Sequence, residues 1–285
     1  MSTDETTTTA PNRTVEGRNG VHYLYRRFGG PATADTVPLL FLHHFRANLD
    51  GWDPALVDAL AAGREVILVD NVGVGATTGT TPHTVTEMAH GALAFVDALG
   101  LTSVDVLGFS LGGYVAQELA LIRPQLLRRL VLAGTGPMGG RDMHGFAEEI
   151  MAVIRRGERT AAGQIHMFFP HAEPGRAKGR EFVERVGART ADRDTPTRPE
   201  TWSAQLDAIT AWGVPDLSRL ARLSGIRTPT FVANGDHDLV VPTPNTHILG
   251  GLLPDARVRI YPDAGHGFLF QYPDEFAADV ADFLG

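Results

Sequence analysis

Short, continuous apolar runs separated by stretches of helical periodicity constrain this chain more than any other feature. They fall at 37–45 (VPLLFLHHF), 64–70 (REVILVD), 104–110 (VDVLGFS), 127–134 (LRRLVLAG), 228–235 (TPTFVANG) and 257–262 (RVRIYP). A strand that is apolar on both sides must be covered on both faces, which means a parallel sheet layered between helices. The expected class is therefore α/β, with a mostly parallel central sheet. Helical patterns occupy 54–62, 84–99 and 111–122; Thr84 and Glu87 give the second a capping-box start, and Pro124 stops the third.

Ahead of these units, residues 14–28 alternate around the turn dipeptide Asn19-Gly20, which predicts an antiparallel hairpin. The Thr-rich residues 1–13 cannot bury enough apolar surface to order themselves and are expected to be a mobile tail. From 137 to 225 the rhythm breaks, and amphipathic stretches such as FAEEIMAVIRR follow one another without strands. This predicts a helical cap inserted into a core of 14–136 and 226–285, over the carboxyl ends of the strands where open α/β sheets bind ligands.

With 43% hydrophobic and 20% charged residues the composition is that of a globular protein. A formal charge of −8 speaks against a nucleic-acid partner, because phosphate neutralisation needs a basic surface. The absence of cysteine excludes disulfides, thiolate catalysis and cysteine-bound zinc. Neither a signal-peptide core nor an apolar stretch of roughly 18 residues is present, so no membrane association is expected and the expected location is the cytoplasm. A small-molecule substrate is the expected partner, and self-association is left open.

Residues 108–112 read Gly-Phe-Ser-Leu-Gly between an apolar strand and a helix. A serine on such a turn is held in a strained conformation with its hydroxyl projecting, and side chains at the flanking glycines would collide with the adjoining strand and helix. The helix N-terminus that follows favours a developing oxyanion. A serine hydroxyl needs a base. Of eleven histidines, His266 in Asp263-Ala-Gly-His-Gly267 is best placed, after the last strand and flanked by glycines. The acid that orients it comes from Asp236-His237-Asp238, just after the strand at 228–235; Asp238 is preferred, with Asp236 assigned to a turn hydrogen bond. The order Ser, Asp, His is that of α/β-hydrolases.

Over about residues 20–285 the chain resembles the α/β-hydrolase superfamily, in its haloperoxidase-like and esterase-like branch. The resemblance implies an oxyanion hole from the backbone N–H groups of Phe45 and Leu111, matches Asp70–Gly75 to the Asp-x-x-Gly-x-Gly turn, and matches Asp238 to the acid. It implies a serine hydrolase of esters or lactones that needs no cofactor. A perhydrolase using peroxide in place of water, or a ligand-binding member without turnover, are the alternatives. Where similar proteins carry His-Gly-Phe, this chain carries His43-His44-Phe45. His43 is assigned to the interior, and His44 is divided between packing and the oxyanion site.

Gly73-Val-Gly75 followed by Thr78 lacks the third glycine of a dinucleotide loop and reads as a tight turn. No metal is expected. Asp236 and Asp238 lack a second cluster, and His166 and His171, with Pro170 between them, have poor helical chelate spacing. Methionines and aromatics of the 137–225 segment, Met138 and Trp202 among them, together with His44, are candidates for an apolar pocket that takes a bulky substrate.

Overall fold

The structure, a computed structural model, describes residues 5–30, 37–156 and 160–285. Its strands are β1 (Arg13–Glu16), β2 (His22–Gly29), β3 (Leu39–Leu42), β4 (Glu65–Val69), β5 (Val104–Phe109), β6 (Leu127–Ala133), β7 (Thr230–Gly235) and β8 (Ala256–Tyr261). They form one eight-stranded sheet in the order β1-β2-β4-β3-β5-β6-β7-β8. The pairs β1·β2 and β2·β4 are antiparallel, and the remaining five are parallel. The hairpin closes where expected: the Gly17 amide donates to Val21 O, and Gly20 takes a φ of 73°.

The crossovers are α1 (Pro54–Ala61), α2 (Val85–Ala98) and α3 (Leu111–Ile122). Between β6 and β7 lie α4 (Glu148–Arg155), α5 (Ala161–Phe168), α6 (Glu173–Val186) and α7 (Pro199–Trp212), with no strand among the described residues. Helices α8 (Pro244–Leu252), α9 (Phe268–Gln271) and α10 (Pro273–Leu284) complete the chain. Thr84 caps α2 by accepting from the Glu87 amide at 3.2 Å and gives its own hydroxyl to the Glu87 carboxylate. The helices bury two apolar layers, one on each face of the sheet. Leu40, Ile67, Val106 and Leu130 point into one layer, and Phe41, Leu68, Leu107 and Val131 into the other. Alternate residues of each strand thus enter opposite layers, which is why the runs read as unbroken apolar sequence.

Two expectations change. The first parallel strand spans Leu39–Leu42, not 37–45, because its pairing with β5 ends at Leu42↔Gly108 and the chain then turns over the sheet edge, with Arg46 at a φ of 63°. The mobile tail does not extend over residues 5–13. The Asp58 carboxylate on α1 accepts from the amide and the hydroxyl of Thr7 at 2.7 and 2.6 Å, Ala10 is buried, and Arg13 opens β1. A threonine hydroxyl meets a carboxylate there, a partner invisible to composition.

Candidate active site

Ser110 occupies the bend between β5 and α3 with a φ of 55°, a conformation that is costly for a residue bearing a side chain. Its amide donates to Ala133 O at 2.9 Å, and its carbonyl accepts from the Thr135 hydroxyl at 2.9 Å. These bonds from the neighbouring strand hold the bend. Both flanking glycines are dictated by contact: a Cβ on Gly112 would lie 2.0 Å from Leu42 O, and one on Gly108 would lie 2.4 Å from Gly112 O. The first collision is with β3 and the second with the start of α3.

His266 leaves the loop after β8 and is almost wholly buried. Its Nδ1 lies 2.7 Å from Asp238 Oδ2, which fixes the ring and leaves Nε2 to face away from the acid. The other oxygen, Asp238 Oδ1, accepts from the amides of Val240 and Val241 at 2.7 and 2.9 Å, so the turn after β7 clamps the carboxylate. Asp236 is exposed and points elsewhere, accepting from the amides of Asp263 and Ala264 at 3.1 and 3.0 Å. It ties the β7 turn to the loop that carries His266. Phe109 lies tilted 4.9 Å from the His266 ring, and Phe168 lies 5.7 Å from it, so aromatic walls close the site on two sides.

Ser110 and His266 line one cavity with His44, Phe45, Tyr114, Phe146, Ile154, Met167, Phe168, Ile209, Val240 and Val241. Its volume of about 20 Å³ suits roughly one water molecule. Burial pushes the Tyr114 phenol well above its ordinary value, and the nearby Asp238 charge adds to the effect. Leu111 is the first residue of α3, so its N–H has no carbonyl one turn back to bond, and Phe45 faces the cavity from the β3 loop.

His44 is buried on the cavity wall, edge-on to Phe109 and Phe168, with Nδ1 2.9 Å from Phe45 O. Two pocket candidates do not lie on this cavity. Met138 Sδ lies 2.7 Å from Nη1 of Arg222, while Trp202 stacks under the Arg46 guanidinium at 4.2 Å and donates to Thr197. Apolar character alone could not separate a residue lining the cavity from one packing behind it. Phe146, Ile154, Ile209 and Met167 take the place assigned to them.

A second buried polar group escaped the sequence reading. His43 Nε2 is 3.0 Å from Asp70 Oδ1, and its ring stacks on Trp52. Asp70, at the end of β4, meets Asp194 of the segment before α7. A Cβ on Gly75 would lie within 2.5 Å of an oxygen of each. Burial pushes Asp70 up to about 7, and burial together with the Asp70 charge pushes Asp194 up to about 8, against the pull of Arg26 on Asp70. The pair therefore keeps a shared proton at neutral pH. Because the folded chain binds protons that the unfolded chain releases near pH 4, the pair's contribution to stability is complete below about pH 4 and is lost as pH rises through about 8. The expected result is a Tm that falls on the alkaline side between about pH 5 and pH 9, and a shallower fall in Asp194→Asn, followed by calorimetry. An unchanged slope in the variant would show that the pair holds no shared proton.

The fold and this cluster place the chain among the α/β hydrolases, and a family model described as alpha/beta hydrolase fold matches residues 37–273. The chain belongs to that family. An alpha/beta hydrolase fold protein from Chitinophaga pinensis is 38% identical, covers 98% of this chain and 99% of its own, and superposes with a TM-score of 0.91. A putative carbamate hydrolase, RutD, of Caulobacter sp. (strain K31) is 28% identical over 90% of this chain and 93% of its own. A structure described as an N-acyl homoserine lactone degrading enzyme is 26% identical over 95% of this chain and 100% of its own, with a TM-score of 0.71. Among the described residues, no helix is long and apolar enough to cross a membrane.

Proposed function

We propose that this chain is a serine hydrolase that cleaves a carboxylic ester or lactone by two-step acyl transfer. The observation that carries this reading is the 2.7 Å contact of Asp238 Oδ2 with His266 Nδ1, buried beside a strained Ser110 in one cavity. Ser110 Oγ attacks the substrate carbonyl as His266 Nε2 takes its proton, forming an O–C bond and a tetrahedral oxyanion. The amides of Phe45 and Leu111 stabilise that charge, each worth about 2.7 to 4 kcal/mol in comparable sites. Collapse expels the alcohol, which receives the proton from Nε2, and leaves acyl-Ser110. Water, deprotonated by the same imidazole, then releases the acid. Asp238 holds the tautomer in which Nε2 is the acceptor, and stabilises the imidazolium that forms.

The cavity wall of phenylalanine, isoleucine, methionine and valine favours an apolar acyl group over a charged one. The relative that degrades acylated lactones supports the lactone side of the proposal, and the one named for carbamates adds a carbonyl class open to the same nucleophile. The test is rapid mixing with a p-nitrophenyl ester, followed by mass spectrometry of the quenched protein. A burst of p-nitrophenol with the acyl mass on the Ser110 peptide is expected. Turnover without an acyl adduct on that peptide under burst conditions would overturn the covalent mechanism, and absence of any burst or turnover across esters, lactones and carbamates would overturn the hydrolase reading. A panel of the three substrate types, ranked by kcat/KM, then fixes the class.

A further inference from the structure

Helix α5 ends at Phe168, and past the extended Phe169 the chain turns back at Pro170, bringing His171 Nε2 to the His166 carbonyl. The spacing of His166 and His171 is unfavourable for chelation on one continuous helix, but the fold-back removes that objection. The two imidazoles stack at 4.3 Å with their planes 16° apart. Glu149, on α4, brings a carboxylate oxygen to 3.9 Å from His166 Nε2. One ligand atom from each of the three residues lies within 4.8 Å of the others, and all three side chains are at least partly open to solvent.

We propose that Glu149, His166 and His171 bind one divalent transition-metal ion of the zinc, nickel or copper kind, with water filling the remaining positions and the partly exposed His166 ring turning out of the stack so that both in-plane lone pairs meet the ion. Two features of the site point to this chemistry. His171 Nε2 sits 3.1 Å from His166 O, so it donates its proton there. Metal-binding imidazoles are ordinarily fixed by such a bond to a backbone carbonyl, which leaves the other nitrogen as the lone-pair donor. Two imidazoles with one carboxylate form a donor set that borderline metals prefer, whereas magnesium and calcium take oxygen.

The site joins α4 to α5 and to the turn before α6. Ile154 of α4 and Met167 and Phe168 of α5 line the cavity around Ser110, so a bound ion would cross-link the two helices that cover it. Metal binding itself does not depend on what Ser110 does.

The test uses chelator-treated, tag-free protein titrated with Zn²⁺ near neutral pH by calorimetry. The expected result is one equivalent bound with a rise in Tm, because an ion that binds only the folded chain stabilises it. His171→Ala should weaken binding by more than about tenfold, the lower bound of what even outer-shell changes cost. The double variant His166→Ala/His171→Ala should lose saturable binding, and His83→Ala, a distant exposed histidine, should not change it. Cu²⁺ loaded at one equivalent should show nitrogen couplings in its electron paramagnetic resonance spectrum, absent from the double variant. The lack of saturable Zn²⁺ binding by the wild type, or equal binding by a folded double variant, would overturn the site.

Discussion

Ser110→Ala is expected to lower kcat on an activated ester by about 10⁶-fold, and His266→Ala by nearly as much, while the double variant should be no worse than either alone. The non-additivity is the informative part. An imidazole without a hydroxyl to deprotonate and a hydroxyl without a base are equally idle, so removing the second partner takes away nothing further. Folding should survive, because alanine keeps the Cβ that already sits at a φ of 55° and the bend is held by the Ser110 backbone bonds to Ala133 and Thr135. Residual hydrolysis in both single variants should be similar, reflecting the amides of Phe45 and Leu111. If Ser110→Ala kept activity within about tenfold of wild type, the covalent role of that residue would be lost, since triad nucleophiles elsewhere cost far more.

The second large effect separates two neighbouring carboxylates. Asp238→Asn is expected to lower kcat by about 10⁴-fold without unfolding the protein. Asparagine can still accept from the Val240 and Val241 amides through its oxygen, which turns its NH₂ toward His266 Nδ1. The ring must then carry its proton on Nε2, the wrong tautomer for taking one from Ser110. Asp236→Asn keeps one oxygen, which can accept from Ala264 but not also from Asp263, so kcat should stay within severalfold and stability should fall by about 1 kcal/mol. Steady-state kinetics and denaturant titration of the two variants check this together. The reverse ranking would move the acid to Asp236.

Much of the fold was legible because the central strands are covered on both faces, so pairs such as Leu40 and Phe41 are both apolar although they enter opposite layers. The bend at Ser110 was legible for a related reason. Gly108 and Gly112 are dictated by backbone contact, and backbone contact leaves a mark in sequence that does not depend on the rest of the fold. Side-chain partners from distant segments leave no such mark. Asp70 sits in a recognisable turn, but nothing in ADRDTPTRP singles out Asp194 as its neighbour, because the contact is made across 124 residues of chain, the difference of the two numbers. Met138 and Trp202 were misassigned to the cavity for the same reason, each being drawn off by an arginine from another element. Periodicity also misled at His171, where a helical spacing rule was applied past the end of a helix.

With room for about one water beside Ser110, the described conformation leaves no space there for a substrate of several heavy atoms. Under the proposed reaction, Phe146, Ile154, Met167 or Phe168 would have to swing aside to admit the substrate, and its apparent affinity would then be weakened in proportion to how seldom that arrangement is populated. Trimming one of those walls would then trade exclusion of solvent for ease of entry, and selectivity between large and small acyl groups would be set by how seldom the door stands open as well as by the shape of what lies behind it.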